Sequence, residues 1–163
     1  MKYTIIAGIN VDEMVSEIWA TKGEVKMFVD VKRRMDTPVV HRIISYASFD
    51  GSVEGVTKIV QKYQSNPALH FYAWIENDVV FGICGYEIHS DKIEIHLISV
   101  DEHVRNRGVG GTMITALQEK YSKNIEAETD DDAVVFYRKR GFETKEFIHE
   151  KHGKRHTCSL KIA

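Results

Sequence analysis

Cysteine and proline are scarce in this 163-residue sequence, with two of each. Cys84 and Cys158 sit in apolar or strand-like stretches without a CxxC spacing, so a disulfide scaffold is excluded. The two allow at most one bridge, and free buried thiols in a reducing cytoplasm are expected. Pro38 and Pro67 both fall where elements change, and no Pro/Gly/Ser linker, internal repeat or low-complexity segment occurs. One domain over residues 1–163 is therefore expected. Charge of a single sign is also lacking: 22 Lys+Arg against 24 Asp+Glu leave a net charge of −2, which gives no basic face for nucleic acid. Long apolar runs are absent. Val79 to Cys84 and Leu97 to Val100 are too short to cross a bilayer, and Met1-Lys2-Tyr3-Thr4-Ile5-Ile6 lacks the features of a signal peptide. A cytoplasmic location without membrane contact is the expectation. What is present, 43% hydrophobic and 28% charged residues, suits an ordinary globular chain long enough to need no metal or disulfide staple.

Lys2 to Ala7 has strand composition, and Val11, Met14, Val15, Ile18 and Trp19 recur at helical spacing behind Asn10. Glu24 to Met35 suits either a helix or a strand. Val53, Val56, Ile59, Val60 and Tyr63 mark an amphipathic helix after Asp50-Gly51. From Leu69 the pattern changes to strands separated by the turns Glu76-Asn77-Asp78 and Ser90-Asp91-Lys92, an antiparallel meander ending at Val100. A helix from about Val109 to Tyr121 follows, then a strand from Asn124 to Glu128. A short helix from Asp132 to Arg140 and two strands around His152-Gly153-Lys154 close the chain. Right-handed crossover through the Val109 helix makes the Asn124 strand parallel to the Ile93 strand, so the fold class is α+β with a mixed, mostly antiparallel sheet.

The segment from Val100 to Thr112 carries the most chemistry. A buried strand enters a loop with Arg105 and Arg107 and then a helix preceded and opened by Gly108, Gly110 and Gly111. Glycines admit close backbone approach, and free N–H groups at a helix start attract anions, phosphates in particular. A Walker loop would need a lysine before Thr112, and a dinucleotide fingerprint would need glycine at Met113; both fail.

The pattern that does match is Arg/Gln-x-x-Gly-x-Gly/Ala, as Arg105-Asn106-Arg107-Gly108-Val109-Gly110. Here the sequence resembles the GCN5-related N-acetyltransferase (GNAT) superfamily. Ala133 to Phe142, a short helix carrying Phe136-Tyr137 and ending in Gly141-Phe142, is similar to that family's other signature. The resemblance spans about Leu69 to Phe142. It implies a three-layer α/β/α arrangement and direct transfer of an acetyl group from acetyl-CoA to a primary amine, without a metal. It further implies that Arg105, Asn106, Arg107, Gly108, Val109, Gly110, Gly111 and Thr112 hold the pyrophosphate. Backbone amides around Ile98, Ser99 and Val100 would hold the acyl arm, and Tyr137 would protonate the departing thiolate.

An amine must lose its proton before it attacks a thioester, so a base is needed. Simple alternation on the Ile93 to Val100 strand puts Glu94, His96, Ile98 and Val100 on one face. Different branches of the family place a base at the positions of Glu94 and His96, and both stay candidates. Two positions depart from the family pattern: Glu102 stands where proline is common, and Asp130 where asparagine is. His149, His152 and His156, beside Lys151, Lys154 and Arg155, are expected to be solvated. The acceptor is open between a small amine, with a cationic one favoured by the acidic residues, and a protein amine. A non-catalytic acyl-CoA-binding module is the alternative, and exposed edge strands would suit a homodimer.

Overall fold

The structure is a computed structural model that describes residues 18–21, 24–48 and 50–162, with side chains from residue 25 onward. Its strands are β1 (Ile18–Thr21), β2 (Glu24–Asp30), β3 (Leu69–Glu76), β4 (Val79–Ile88), β5 (Lys92–Val100), β6 (Asn124–Thr129), β7 (Glu143–His149) and β8 (Gly153–Leu160). Among the described residues these form one sheet in the order β1-β2-β3-β4-β5-β6-β8-β7. Neighbours run antiparallel except β5 and β6, which run parallel and are joined by a helical crossover.

Helices α1 (Pro38–Ser45) and α2 (Val53–Ser65) cover one face, and α3 (Val109–Tyr121) and α4 (Val134–Arg138) the other. On the first face Ile43, Ile44, Val56, Val60 and Tyr63 pack on Val29, Phe71, Ala73 and Ile83. On the second, Met113, Ile114, Leu117 and Tyr137 pack on Tyr86, Ile93, Ile95, Ile125 and Cys158. The result is the expected α/β/α layering. Cys84 and Cys158 are free and buried, and burial pushes both thiols above their ordinary pKa.

Three elements differ from the sequence expectation. Ile18 and Trp19, read as the end of a helix, lie in β1, where Ile18 pairs with Met27 and Trp19 with Lys26. Pairing with a neighbouring strand outweighs a helical spacing carried by few residues. The remainder of that helix and the strand from Lys2 to Ala7 lie outside the described residues. The ambiguous Glu24 to Met35 resolves into β2 and a single 3-10 turn at Lys32–Arg34. Helix α1 was not foreseen, although Pro38 occupies its first turn and Val40, Ile43 and Ile44 form a buried i, i+3, i+4 stripe.

The decisive feature for the site is a β-bulge. Tyr86 pairs with Ile95 and Gly85 with Leu97, so His96 has no partner on β4. An unpaired residue reverses the alternation beyond it. Ile93, Ile95, Ile98 and Val100 therefore face α3, whereas Leu97 and Ser99 face α1 together with Glu94 and His96. The expectation that Glu94 and His96 share a face with Ile98 and Val100 is thus corrected.

Candidate functional site

Pairing of β5 with β6 runs from Lys92↔Asn124 to Ile95↔Ala127 and stops, while β6 continues through Thr129 against β8. From His96 onward β5 leaves β6, and a cavity of about 1010 Å³ opens where they part. Ile98, Ser99 and Val100 line it from β5, Glu128 to Asp130 from β6, and Phe136 and Tyr137 from α4.

The parting exposes backbone. Asp101 N–H donates to the Phe81 carbonyl at 2.8 Å, so Ser99, two residues earlier, also turns its amide toward β4. Ile98 and Val100 turn theirs the other way, into the gap. Ser99 is the exception among the three residues expected to hold an acyl arm. Its hydroxyl donates to the Ile43 carbonyl at 2.8 Å and its side chain ties β5 to α1.

At one end of the cleft lies the glycine loop. Gly108 precedes α3 with φ +78°, a left-handed conformation that glycine adopts without strain. The first intrahelical bond is Thr112 N–H to the Gly108 carbonyl, 2.9 Å, and the Thr112 hydroxyl donates to the same oxygen. The amides of Val109, Gly110 and Gly111 precede it, and glycine at the cap offers no side chain to compete for them. Arg105 lines the cavity, its guanidinium 4.9 Å above the Tyr46 ring and its Nε donating to the Val100 carbonyl at 3.4 Å. Asn106, at φ +64°, makes the turn, and Arg107 is exposed beside it. Gly108, Gly111 and Thr112 border a second cavity of about 420 Å³ together with Arg140.

Tyr137 reaches the cleft from α4 and is 4% exposed. Burial raises its phenol well above the ordinary tyrosine value, so it keeps its proton at neutral pH. Gly141 ends this helix at φ +84°, and Phe142 N–H closes the turn on the Tyr137 carbonyl at 3.2 Å. Asp130 Oδ1 accepts from Ala133 N–H at 2.9 Å in the turn that leads into α4, whose cap residue is Ala133.

The two base candidates separate in space. His96 lines the cleft. Glu94 does not line it; its Oε2 lies 3.0 Å from His89 Nε2. Glu87, which motif reasoning passed over, stands 3.4 Å from His96 Nε2. Lys151, His152 and Arg155 add a basic rim from the β7–β8 hairpin. His156 is not solvated as expected. It is buried, with Nε2 2.6 Å from Asp131, and this contact is the main reason that the Asp131 carboxyl sits below its ordinary pKa.

Residues 66–144, which hold the meander, the glycine loop and the Tyr137 helix, match the family described as the acetyltransferase (GNAT) domain. This stretch, just under half of the chain, is GNAT-like in sequence. An uncharacterized N-acetyltransferase of Bacillus methanolicus is 24% identical over 80 residues, covering 48% of this chain and 67% of that protein. Among solved structures, an acetyltransferase from Thermus thermophilus superposes with a TM-score of 0.67 at 14% identity, covering 83% of this chain and 96% of the other. An aminoglycoside 6'-N-acetyltransferase complexed with coenzyme A superposes with a TM-score of 0.65 at 13% identity, covering 84% and 97%. At such identities these structures share the GNAT fold with the chain.

Proposed function

We propose that the chain is an acetyl-CoA-dependent N-acetyltransferase that acts on a primary amine by direct attack. The observation that carries this reading is the parted β5 and β6, with the Ile98 and Val100 amides turned into the gap between an anion-binding helix start and Tyr137. Extended backbone with free donors suits an amide-rich pantetheine arm. The free amides before Thr112, with Arg105 and Arg107, suit its pyrophosphate.

In the reaction the amine nitrogen attacks the thioester carbon, the C–N bond forms and the carbonyl oxygen gains charge next to backbone donors. Collapse breaks the C–S bond. His96, at the cleft wall, takes the amine proton with Glu87 beside its ring; Tyr137 supplies a proton to the departing sulfur. Glu94 is held by His89 and is the second choice for the base. No step calls on a metal.

Thiol release from acetyl-CoA, measured against small amines, amino sugars and basic peptides, tests the proposal. Release that depends on one amine class supports it. Tight acetyl-CoA binding without amine-dependent release across the panel would reassign the chain as a binding module.

A further inference from the structure

Beyond the cleft, on the α1 side of the sheet, the β4–β5 hairpin brings together two carboxylates and two imidazoles. Glu87 and Glu94 face each other directly across the strands. Like charges in that relation are destabilising unless something lies between them. What faces them is His89, at the turn, and His96, placed on this face by alternation from Glu94. His89 Nε2 is 3.0 Å from Glu94 Oε2 and 3.9 Å from Glu87 Oε2; His96 Nε2 is 3.4 Å from Glu87 Oε2 and 4.0 Å from Glu94 Oε2. All four side chains are partly buried, between 27% and 42% exposed.

We infer that Glu87, His89 and Glu94 form a binding site for a divalent transition-metal ion, zinc in the first instance, with His96 outside the ligand set. One imidazole nitrogen and two carboxylate oxygens form a three-ligand set that Zn²⁺ accepts in tetrahedral geometry, with water in the fourth position. With bonds of about 2.0–2.1 Å, the edges of such a tetrahedron are about 3.3 Å. His89 Nε2 stands 3.9 and 3.0 Å from the two carboxylates, which brackets that value, and the three ligand atoms lie within 4.8 Å of one another, so small rotamer adjustments would bring them into bonding range. Charge agrees: two carboxylates offset a dication, and His89 binds as a neutral ligand.

Nearby cations are committed elsewhere. Lys92 pairs with Glu126 at 2.6 Å, and Lys123 donates to the His89 carbonyl at 2.6 Å. No Lys or Arg among the described residues forms an ion pair with Glu87 or Glu94. A second group, Asp131, Glu146 and His156, differs on this point. Lys154 already sits 3.4 Å from Asp131 and 2.7 Å from Glu146, which neutralises it from within. The hairpin site leaves the lone pair of His96 free and meets the transfer reaction only through Glu87, which stands 3.4 Å from His96 Nε2.

Calorimetric titration of Zn²⁺ into the metal-free full chain tests this, with Co²⁺ absorption as a second readout. One ion per chain and a tetrahedral Co²⁺ spectrum are expected. Glu87→Gln and His89→Ala should each weaken Zn²⁺ binding at least about tenfold, since even outer-shell partners of a metal carry that much. Glu146→Gln should leave it unchanged. Circular dichroism of each variant shows whether it is folded. Absent binding, or binding that survives both hairpin substitutions and falls with Glu146→Gln, would overturn the inference. Because the readout is binding, failure here leaves the acetyl-transfer assay untouched, and the reverse also holds.

Discussion

Arg42 of α1 and Asp101, the residue after β5, meet at 2.6 Å, with the Asp101 side chain 7% exposed and that of Arg42 46% exposed. The contact joins the helix layer on one face to the loop that opens the cleft on the other. Ser99 reinforces it through the Ile43 carbonyl, and Asp101 also accepts from His103 N–H. Burial alone would raise the Asp101 carboxyl; the Arg42 hydrogen bond and the His103 amide outweigh burial and hold it below its ordinary pKa.

A depressed carboxylate pKa contributes stability that is present above the unfolded value near 3.8 and is lost as pH falls through the folded value. Arg42→Ala removes the partner and leaves burial to act alone, so the Asp101 pKa rises. The variant should lose about 1–2 kcal/mol at pH 7, less than a fully buried pair would cost because Arg42 is half exposed. Its acid unfolding should begin at higher pH than that of the parent chain. Thermal melts from pH 3 to pH 7 check both; coincident curves for the two proteins would show that the pair contributes nothing.

Tyr137→Phe keeps the packing of the ring against Phe136 and Phe142 and removes the hydroxyl. Turnover should fall about 10²-fold or more, in the range of a lost general acid, with acetyl-CoA affinity nearly unchanged. Steady-state kinetics beside calorimetry separates these quantities. Equal losses in both would remove the acid role.

Two glycines of the loop should respond differently to alanine. A Cβ at Gly110 would lie 2.7 Å from Phe136 Cε2, a ring that lines the cleft. One at Gly111 would lie 2.5 Å from Arg140 Nε, the far part of a flexible side chain. Gly110→Ala should therefore cost about 1–3 kcal/mol by overpacking and weaken CoA binding, and Gly111→Ala should cost less. Melting temperature and CoA affinity for the pair give the comparison; equal effects would mean that Phe136 moves aside freely.

Substituting the base candidates should separate them. His96→Ala should lower kcat by about 10²-fold with an amine acceptor. Glu94→Gln should lower it much less, because Glu94 lies outside the cleft and faces His89. The opposite order, read from initial rates at saturating acetyl-CoA, would move the base to Glu94.

Local features were legible from sequence because their causes are local. The glycine loop, helix α3 over Val109–Tyr121 and the left-handed Gly141 each follow from residues within a turn or two, and β4 lies between the two turns expected of the meander. Helix α1 was equally local, yet its signal is short: one proline and three buried apolar residues in eight.

The sequence by itself determined which candidate groups this chain carries: a glycine- and arginine-rich loop, a tyrosine helix and a meander to hold them, in an order that resembles one superfamily. Only the tertiary structure decided which groups meet. A bulge is a difference in residue count between two strands, so nothing in β5 alone reveals that His96 lacks a partner on β4. That one unpaired residue sends Ile98 and Val100 to the α3 face and leaves His96 beside Glu87. The same holds for the parting of β5 from β6, which depends on where β8 takes over the pairing. Periodicity reads one strand at a time, whereas register is a property of two.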